Sequence, residues 1–165
     1  MASSVTKGLA LGAALFGGLQ AGATANRAIV LLPAWERLGV MPWATFTRAE
    51  NVGTGALFYP VLGLAALLFT VSAAIALRLD RTARDSRRFP AYAAALLAIV
   101  WATVTRALIL PAMFALREVG SDGAQLQQIF ITVSRWSGVN DVLHVLTFGL
   151  NLWALAVVFS SPQAN

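Results

Sequence analysis

Towards the end of the chain, the stretch WSGVNDVLHVLTFGLN sets Asn140, Asp141 and the only histidine, His144, at the head of a long apolar run. Asp141 and His144 are three residues apart, so on a helix they share a face. A carboxylate beside an imidazole orients the ring and raises its basicity, which is how a general base is built. A nearby arginine can hold a phenolate, enolate or carbonyl oxygen as charge develops. Arg106 is the arginine set deepest in an apolar segment. His144, Asp141 and Arg106 are therefore the candidate catalytic groups.

Other chemistries fare worse. A bis-histidine haem needs a second histidine. The spacing of Asp141 and His144 is that of carboxylate-bridged di-iron bundles, but those use two such motifs with further carboxylates, and only Glu50 and Glu36 remain to supply them. Ser134 and Ser137 precede the histidine without an elbow motif, glycine-rich phosphate loops are missing, and the absence of cysteine removes disulfides, thiolate metal sites and thiol nucleophiles together. No metal and no cofactor are expected. General acid–base chemistry or plain binding is left.

The elements that must position these groups follow from composition. Of the 165 residues, 58% are hydrophobic and 12% charged, and the mean hydropathy of +0.72 is far above that of a soluble domain. A hydrocarbon core of roughly 30 Å needs about 20 apolar helical residues. Four segments qualify, at about 8 to 31, 52 to 77, 91 to 116 and 139 to 160, and nothing is left for a second domain. The expected fold is an all-α, integral membrane four-helix bundle in the lipid bilayer. Strands are excluded because the apolar runs are unbroken where a barrel would alternate.

The net charge of +5 invites a nucleic-acid reading, but Arg78, Arg81, Arg84, Arg87 and Arg88 crowd into one short loop. That is a topology signal, and the positive-inside rule puts the loop in the cytoplasm. Two crossings separate it from Lys7, so both the N- and C-termini are expected to be cytoplasmic, in a multi-pass protein of the cell membrane. The N-terminal run resembles a secretory signal; we read it as a retained first helix. The outer loop from 32 to 50, with Trp35 and Trp43, has the composition of an interfacial segment whose indoles sit at headgroup level. Pro90 suits the start of the third helix, and Gln125 to Trp136 reads as an amphipathic turn leading into the fourth.

Within this frame the polar residues of four helices collect at one level. Arg27 ends the first helix, with Gln20 and Thr24 on its face; Arg48, Glu50 and Asn51 lead into the second, which carries Tyr59 and Pro60; Arg106 lies in the third. Sixteen residues from the inner end place Arg106 roughly 24 Å up. On the fourth, Asn140, His144, Thr147 and Asn151 recur at i, i+4, i+7 and i+11, a stripe that must point inward because polar groups facing lipid are costly. The expected result is an outer-side polar pocket in which Arg106 and Arg27 face Asp141 and Glu50. Arg27, Arg48, Glu50, Asn51, Tyr59, Trp136 and Asn140 are the candidate binding residues. Such a pocket suits a flat lipophilic molecule with polar edges, such as a quinone or polyketide. No internal repeat is visible, while Gly8-xxx-Gly12 and Gly18-xxx-Gly22 in the first helix fit close helix packing, either within the bundle or in a homodimer or larger membrane complex.

The stretches TRAENV, LILPAMFAL and RWSGVNDVLH, at the ends of the second, third and fourth helices, resemble those of the anthrone oxygenase-like membrane family, and the resemblance extends over nearly the whole chain. Arg48 and Ala49 match its Arg-Ala pair, Pro111 its Pro-x-Asn exit with Met113 in place of Asn, and Trp136 and Asn140 its fourth-helix entry. Leu143 stands where that family has Arg, with His144 the nearest polar residue. The resemblance implies oxidation of anthrones to anthraquinones by molecular oxygen without a bound cofactor. For the residues here it implies Asp141 with His144 as base and Arg106 as anion stabiliser. The alternative is a non-catalytic membrane subunit that binds lipid or quinone or packs in a larger complex.

Overall fold

A computed structural model describes residues 3–50, 53, 55–79 and 85–160. Five helical rods account for nearly all of these residues. Helix α1 runs over Ser4–Leu38, α2 over Val40–Ala49 and α3 over Gly55–Leu79. Helix α4 comprises Asp85–Val104 continued through Thr105–Ile109 and Leu110–Glu118, and α5 is Gly123–Phe159. All except α2 are long and apolar enough to cross a membrane. The protein is a multi-pass, all-helical membrane protein.

The four spanning helices form a ring in chain order: α1 packs on α3 and α5, and α4 packs on the same two. Small residues make this possible. Ala10, Ala13, Ala14, Gly17 and Ala21 form the buried seam of α1, against Ala66, Ala73 and Ala74 of α3 and Ala91, Ala94 and Ala98 of α4. In lipid, where apolar burial drives little association, such seams gain from close backbone approach. Large apolar side chains such as Leu15, Leu57, Phe58, Leu68, Leu96 and Val142 point outward instead. Gly12 and Gly18 are part of the internal packing, facing Phe69 and Phe148. Two of the four glycines considered for a dimer seam are thus occupied inside the bundle.

Two helices outrun the bilayer. At 1.5 Å per residue, the 35 residues of α1 and 37 of α5 extend about 52 and 55 Å, against a hydrocarbon core of roughly 30 Å. Their excess, with α2 and the end of α4, builds a cap around Trp35, Trp43, Ala44, Leu116 and Leu126. This corrects several expectations. The stretch from 32 to 38 continues the first helix, and residues 125 to 136, read as an amphipathic turn, are continuous α5 helix capped by Asp122, whose Oδ1 accepts from Ala124 N and Gln125 N. Trp35 and Trp43, expected at headgroup level, are buried in the cap. Pro90, expected to open a helix, lies fully buried inside α4. The entry to α3 at 51, 52 and 54, with Arg81 and Arg84, falls outside the described residues.

Chain reversal between α1 and α2 takes a single residue, Gly39, at φ +90°, a conformation costly for any residue with a Cβ. Arg48 then ties the cap together. Its Nε donates to Leu116 O at 3.0 Å, and its Nη2 donates to Val119 O and to Gly120 O, the latter at 2.9 Å. Helix α4 would otherwise end with unpaired carbonyls.

Helices α1 and α4 share a further feature. In each, one turn is wide: Leu32 N–H reaches back five residues to Arg27 O, and Leu110 N–H to Thr105 O. Pro33 and Pro111 follow directly. A proline ring crowds the carbonyl four residues earlier, and a widened turn relieves that crowding. The two sites read Arg-Ala, a few aliphatic residues, then Leu-Pro, a short local similarity too brief to register as an internal repeat.

The termini of the bundle lie at one end, where Lys7 Nζ sits 5.4 Å above the Phe159 ring. Arg48→Ala should lower unfolding stability in detergent by about 2 kcal/mol, since charged hydrogen bonds to backbone are among the stronger ones, while Arg37→Ala on the exposed side of α1 should change it little; denaturation midpoints of the two variants check this. The cysteine-free chain also permits a direct topology test. If the orientation expected from the arginine loop holds, a membrane-impermeant maleimide added to intact cells should label Ser121→Cys and leave Thr82→Cys unlabelled, and the reverse pattern would overturn that expectation.

Candidate functional site

Inside the ring, at the end nearest the cap, the four spanning helices surround a cavity of about 490 Å³, a size typical of small-molecule sites. Each helix contributes polar groups to a mostly apolar wall. Helix α1 gives Gln20, Thr24 and Arg27; α3 gives Tyr59; α4 gives Thr105, Arg106 and Arg117; α5 gives Ser137, Asn140, Asp141 and His144. Leu64, Leu67, Trp101, Ile109, Met113 and Phe114 supply apolar surface. Both wide turns lie at this level, with Arg27, Thr105, Arg106 and Ile109 in the cavity wall.

The α5 stripe is present as a buried seam. Ser137, Asn140, Asp141, His144, Thr147 and Asn151 are all buried, and the seam turns apolar only below them, at Ala154 and Val158. Each polar member answers to a neighbouring helix. Arg27 of α1 forms an ion pair with Asp141 across the α1–α5 seam. Asn140 Nδ2 donates to Thr105 Oγ1 at 2.6 Å. His144 Nε2 lies 3.3 Å from Gln20 Nε2, and the edge of Trp101 meets the imidazole at 4.7 Å between centroids. Deeper still, Asn151 Nδ2 donates to Thr70 Oγ1 at 3.0 Å and to Ala13 O at 3.3 Å.

One expected pairing is not made. Asp141 and His144 share a face, yet the carboxylate pairs with Arg27 and the imidazole with Gln20. The physical reason is charge: in a low-dielectric interior a carboxylate gains far more from a guanidinium than from a neutral ring. Arg27 thus meets Asp141 as expected, while Glu50 accepts a hydrogen bond from Tyr59 OH and no arginine pairs with it among the described residues.

Of the candidate residues, Arg27, Tyr59, Arg106, Asn140, Asp141 and His144 come together in the cavity wall. Arg48, Glu50 and Trp136 do not line it. Arg48 holds the end of α4, Glu50 reaches the cavity only through Tyr59, and Trp136 receives the Arg135 guanidinium on its ring. Asn51 lies outside the described residues. Arg106 is exposed, and among the described residues it makes no hydrogen bond or ion pair. No three histidine or acidic side chains among the described residues converge closely enough to hold a metal ion.

Trp101 and Thr105 are site residues that motif reading missed, while Gln20, placed with Thr24 on the face of Arg27, was not among the candidate binding residues. Trp101 and Thr105 are one turn apart on the face of α4 that meets α5, a relation that needs the packing partner to acquire meaning. Bookkeeping on Thr105 carries further information. Its hydroxyl proton goes to Trp101 O at 2.9 Å, so its oxygen can only accept from Asn140, which fixes the amide with Nδ2 towards Thr105. Asn140 Oδ1 is then a buried acceptor, without a partner among the described residues.

No family model, curated protein or solved structure matches the chain.

The Arg27–Asp141 pair should behave as a coupled unit. Arg27→Met or Asp141→Leu alone should cost about 3 kcal/mol by stranding a charge, whereas the double variant should recover most of that loss. Unfolding free energies of the four proteins in one detergent check this, and additive losses would deny the coupling.

Proposed function

We propose that the protein is a membrane oxidoreductase of the anthrone oxygenase-like kind, acting on a flat lipophilic aromatic or quinone-like molecule held in the cavity between its four helices. The observation that carries this reading is the cavity's makeup: apolar walls of a size to take a fused-ring molecule, with His144, Asn140 and Arg106 among the polar groups that line it. Asn140 Oδ1, an acceptor without a partner among the described residues, calls for a hydroxyl donor on the ligand, because a buried acceptor left unpaired is costly.

In this reading His144 takes a proton from an acidic carbon or phenol of the substrate, and the Arg106 guanidinium holds the resulting anion. The electron-rich anion reduces molecular oxygen directly. For an anthrone, the methylene carbon becomes a carbonyl with one oxygen atom of O2, and the other oxygen atom leaves as water with the two methylene hydrogens. The carbon is oxidised by four electrons and O2 is reduced by the same four.

A second reading has its own support. Arg27 neutralises Asp141, and His144 has no carboxylate partner, so the same cavity serves for binding a lipid or quinone without turnover in a non-catalytic membrane subunit. Oxygen uptake separates the two. Purified protein in lipid nanodiscs should consume oxygen with an anthrone, and His144→Ala should lower the rate by about 100-fold or more, the usual contribution of a positioned base. Uptake by His144→Ala equal to the native rate removes the base, and ligand retained in native mass spectra without oxygen uptake favours the binding subunit.

A further inference from the structure

Directly below the cavity lies a second, much smaller space. It measures about 10 Å³ and is lined by Gly17, Gln20, Ala66, Thr70, Trp101, His144 and Thr147, one or two residues from each spanning helix. That is about the volume one water needs, and a buried water also needs two to four polar partners. The lining can supply four. Two are side-chain atoms without a partner among the described residues, His144 Nδ1 and Gln20 Oε1. His144 is 6% exposed.

The hydroxyls on either side have complementary vacancies. Thr147 spends its proton on Leu143 O at 2.7 Å, so its oxygen keeps lone pairs for an incoming donor. Thr70 Oγ1 accepts from Asn151 Nδ2, so its own proton is uncommitted. The Gln20 amide, with Nε2 towards His144 Nε2, donates to that ring nitrogen and leaves Oε1 as an acceptor. The imidazole then carries its proton on Nδ1. The inventory is two donors, Nδ1–H and the Thr70 hydroxyl, and two acceptors, Gln20 Oε1 and Thr147 Oγ1. A water molecule has two lone pairs and two protons, and it matches that set with none left over.

We propose that this space is a binding site for one structural water, which fixes His144 as the Nδ1–H tautomer, with Thr70 and Thr147 as its positioning residues. The water does what Asp141 was expected to do and does not: it holds the ring and its tautomer, with the basic lone pair on Nε2, where the Gln20 amide occupies it in the absence of substrate. A neutral water suits this place better than a carboxylate. It orients the ring without placing an ion beside it. The inference gives the proposed base its tautomer, yet it concerns the protein without substrate, so it is tested apart from turnover.

The chain has a single histidine, so its imidazole nitrogens can be observed without assignment. Protein labelled with nitrogen-15 histidine, in lipid nanodiscs and without substrate, should show a protonated Nδ1 and an unprotonated Nε2, with magnetisation passing from a bound water to the Nδ1 proton. Thr147→Val replaces the hydroxyl by a methyl and leaves the Asn151 bonds alone. It should abolish the water transfer and lower the ratio of Nδ1–H to Nε2–H tautomers by about fivefold, the effect of one net hydrogen bond; Thr70→Val should act in the same direction. A native spectrum with the proton on Nε2, an Nδ1 proton that receives nothing from water, or a Thr147→Val spectrum identical to the native one overturns the proposal. The native spectrum decides by itself if neither variant folds. Loss of oxygen uptake with this spectrum intact would count against the enzyme reading alone.

Discussion

Arg27 and Asp141 meet between α1 and α5 at a depth where neither could stand alone. A carboxylate or guanidinium taken from water into a low-dielectric interior loses several kcal/mol of hydration, and only an opposite charge with good geometry returns it. The rest of the polar architecture follows the same constraint, because the bilayer offers no partner for a stray donor or acceptor. Asn140 turns to Thr105, His144 to Gln20, and Asn151 to Thr70 and Ala13. These bonds join α5 to α4 through Thr105, to α1 through Gln20 and Ala13, and to α3 through Thr70, so the polar seam ties α5 to every other spanning helix in a bundle whose seams are otherwise alanine-rich. Specificity from a few buried polar contacts is the role such groups are best known for.

The same constraint reallocates the chemistry. By claiming Asp141, Arg27 leaves the imidazole among neutral groups: an amide, an indole edge and two threonines. An imidazole held this way has its orientation fixed by dipoles. The proline-linked wide turns add to the design, since Pro33 and Pro111 open the backbone of α1 and α4 at the level where the cavity needs room. Wide turns of this type recur at functional sites.

Much of this was legible in the sequence, and the reasons are physical. Four spans could be counted because a bilayer demands about 20 apolar residues in a row. The inward stripe of Asn140, His144, Thr147 and Asn151 could be placed because helical periodicity and the cost of polar groups in lipid point the same way. The cap was not legible: Trp35 and Trp43 have the composition of interfacial aromatics, and only the packing of α2 on α4 and α5 reveals that they are core. The partner of Asp141 was likewise hidden. Spacing along one helix favours His144, but the competitor Arg27 lies 114 residues away. Arg48 illustrates a third kind of blindness, because its partners are backbone carbonyls, which carry no residue-type signal.

At the opposite end from the cavity, Ala10, Ala74, Leu77, Ala91, Ala154 and Val158 close on one another, and the polar seam stops at Asn151 above them. The interior is therefore a well with a floor. Packing of this kind closes the described interior beneath the polar seam, so a molecule held between the helices would rest above an apolar floor.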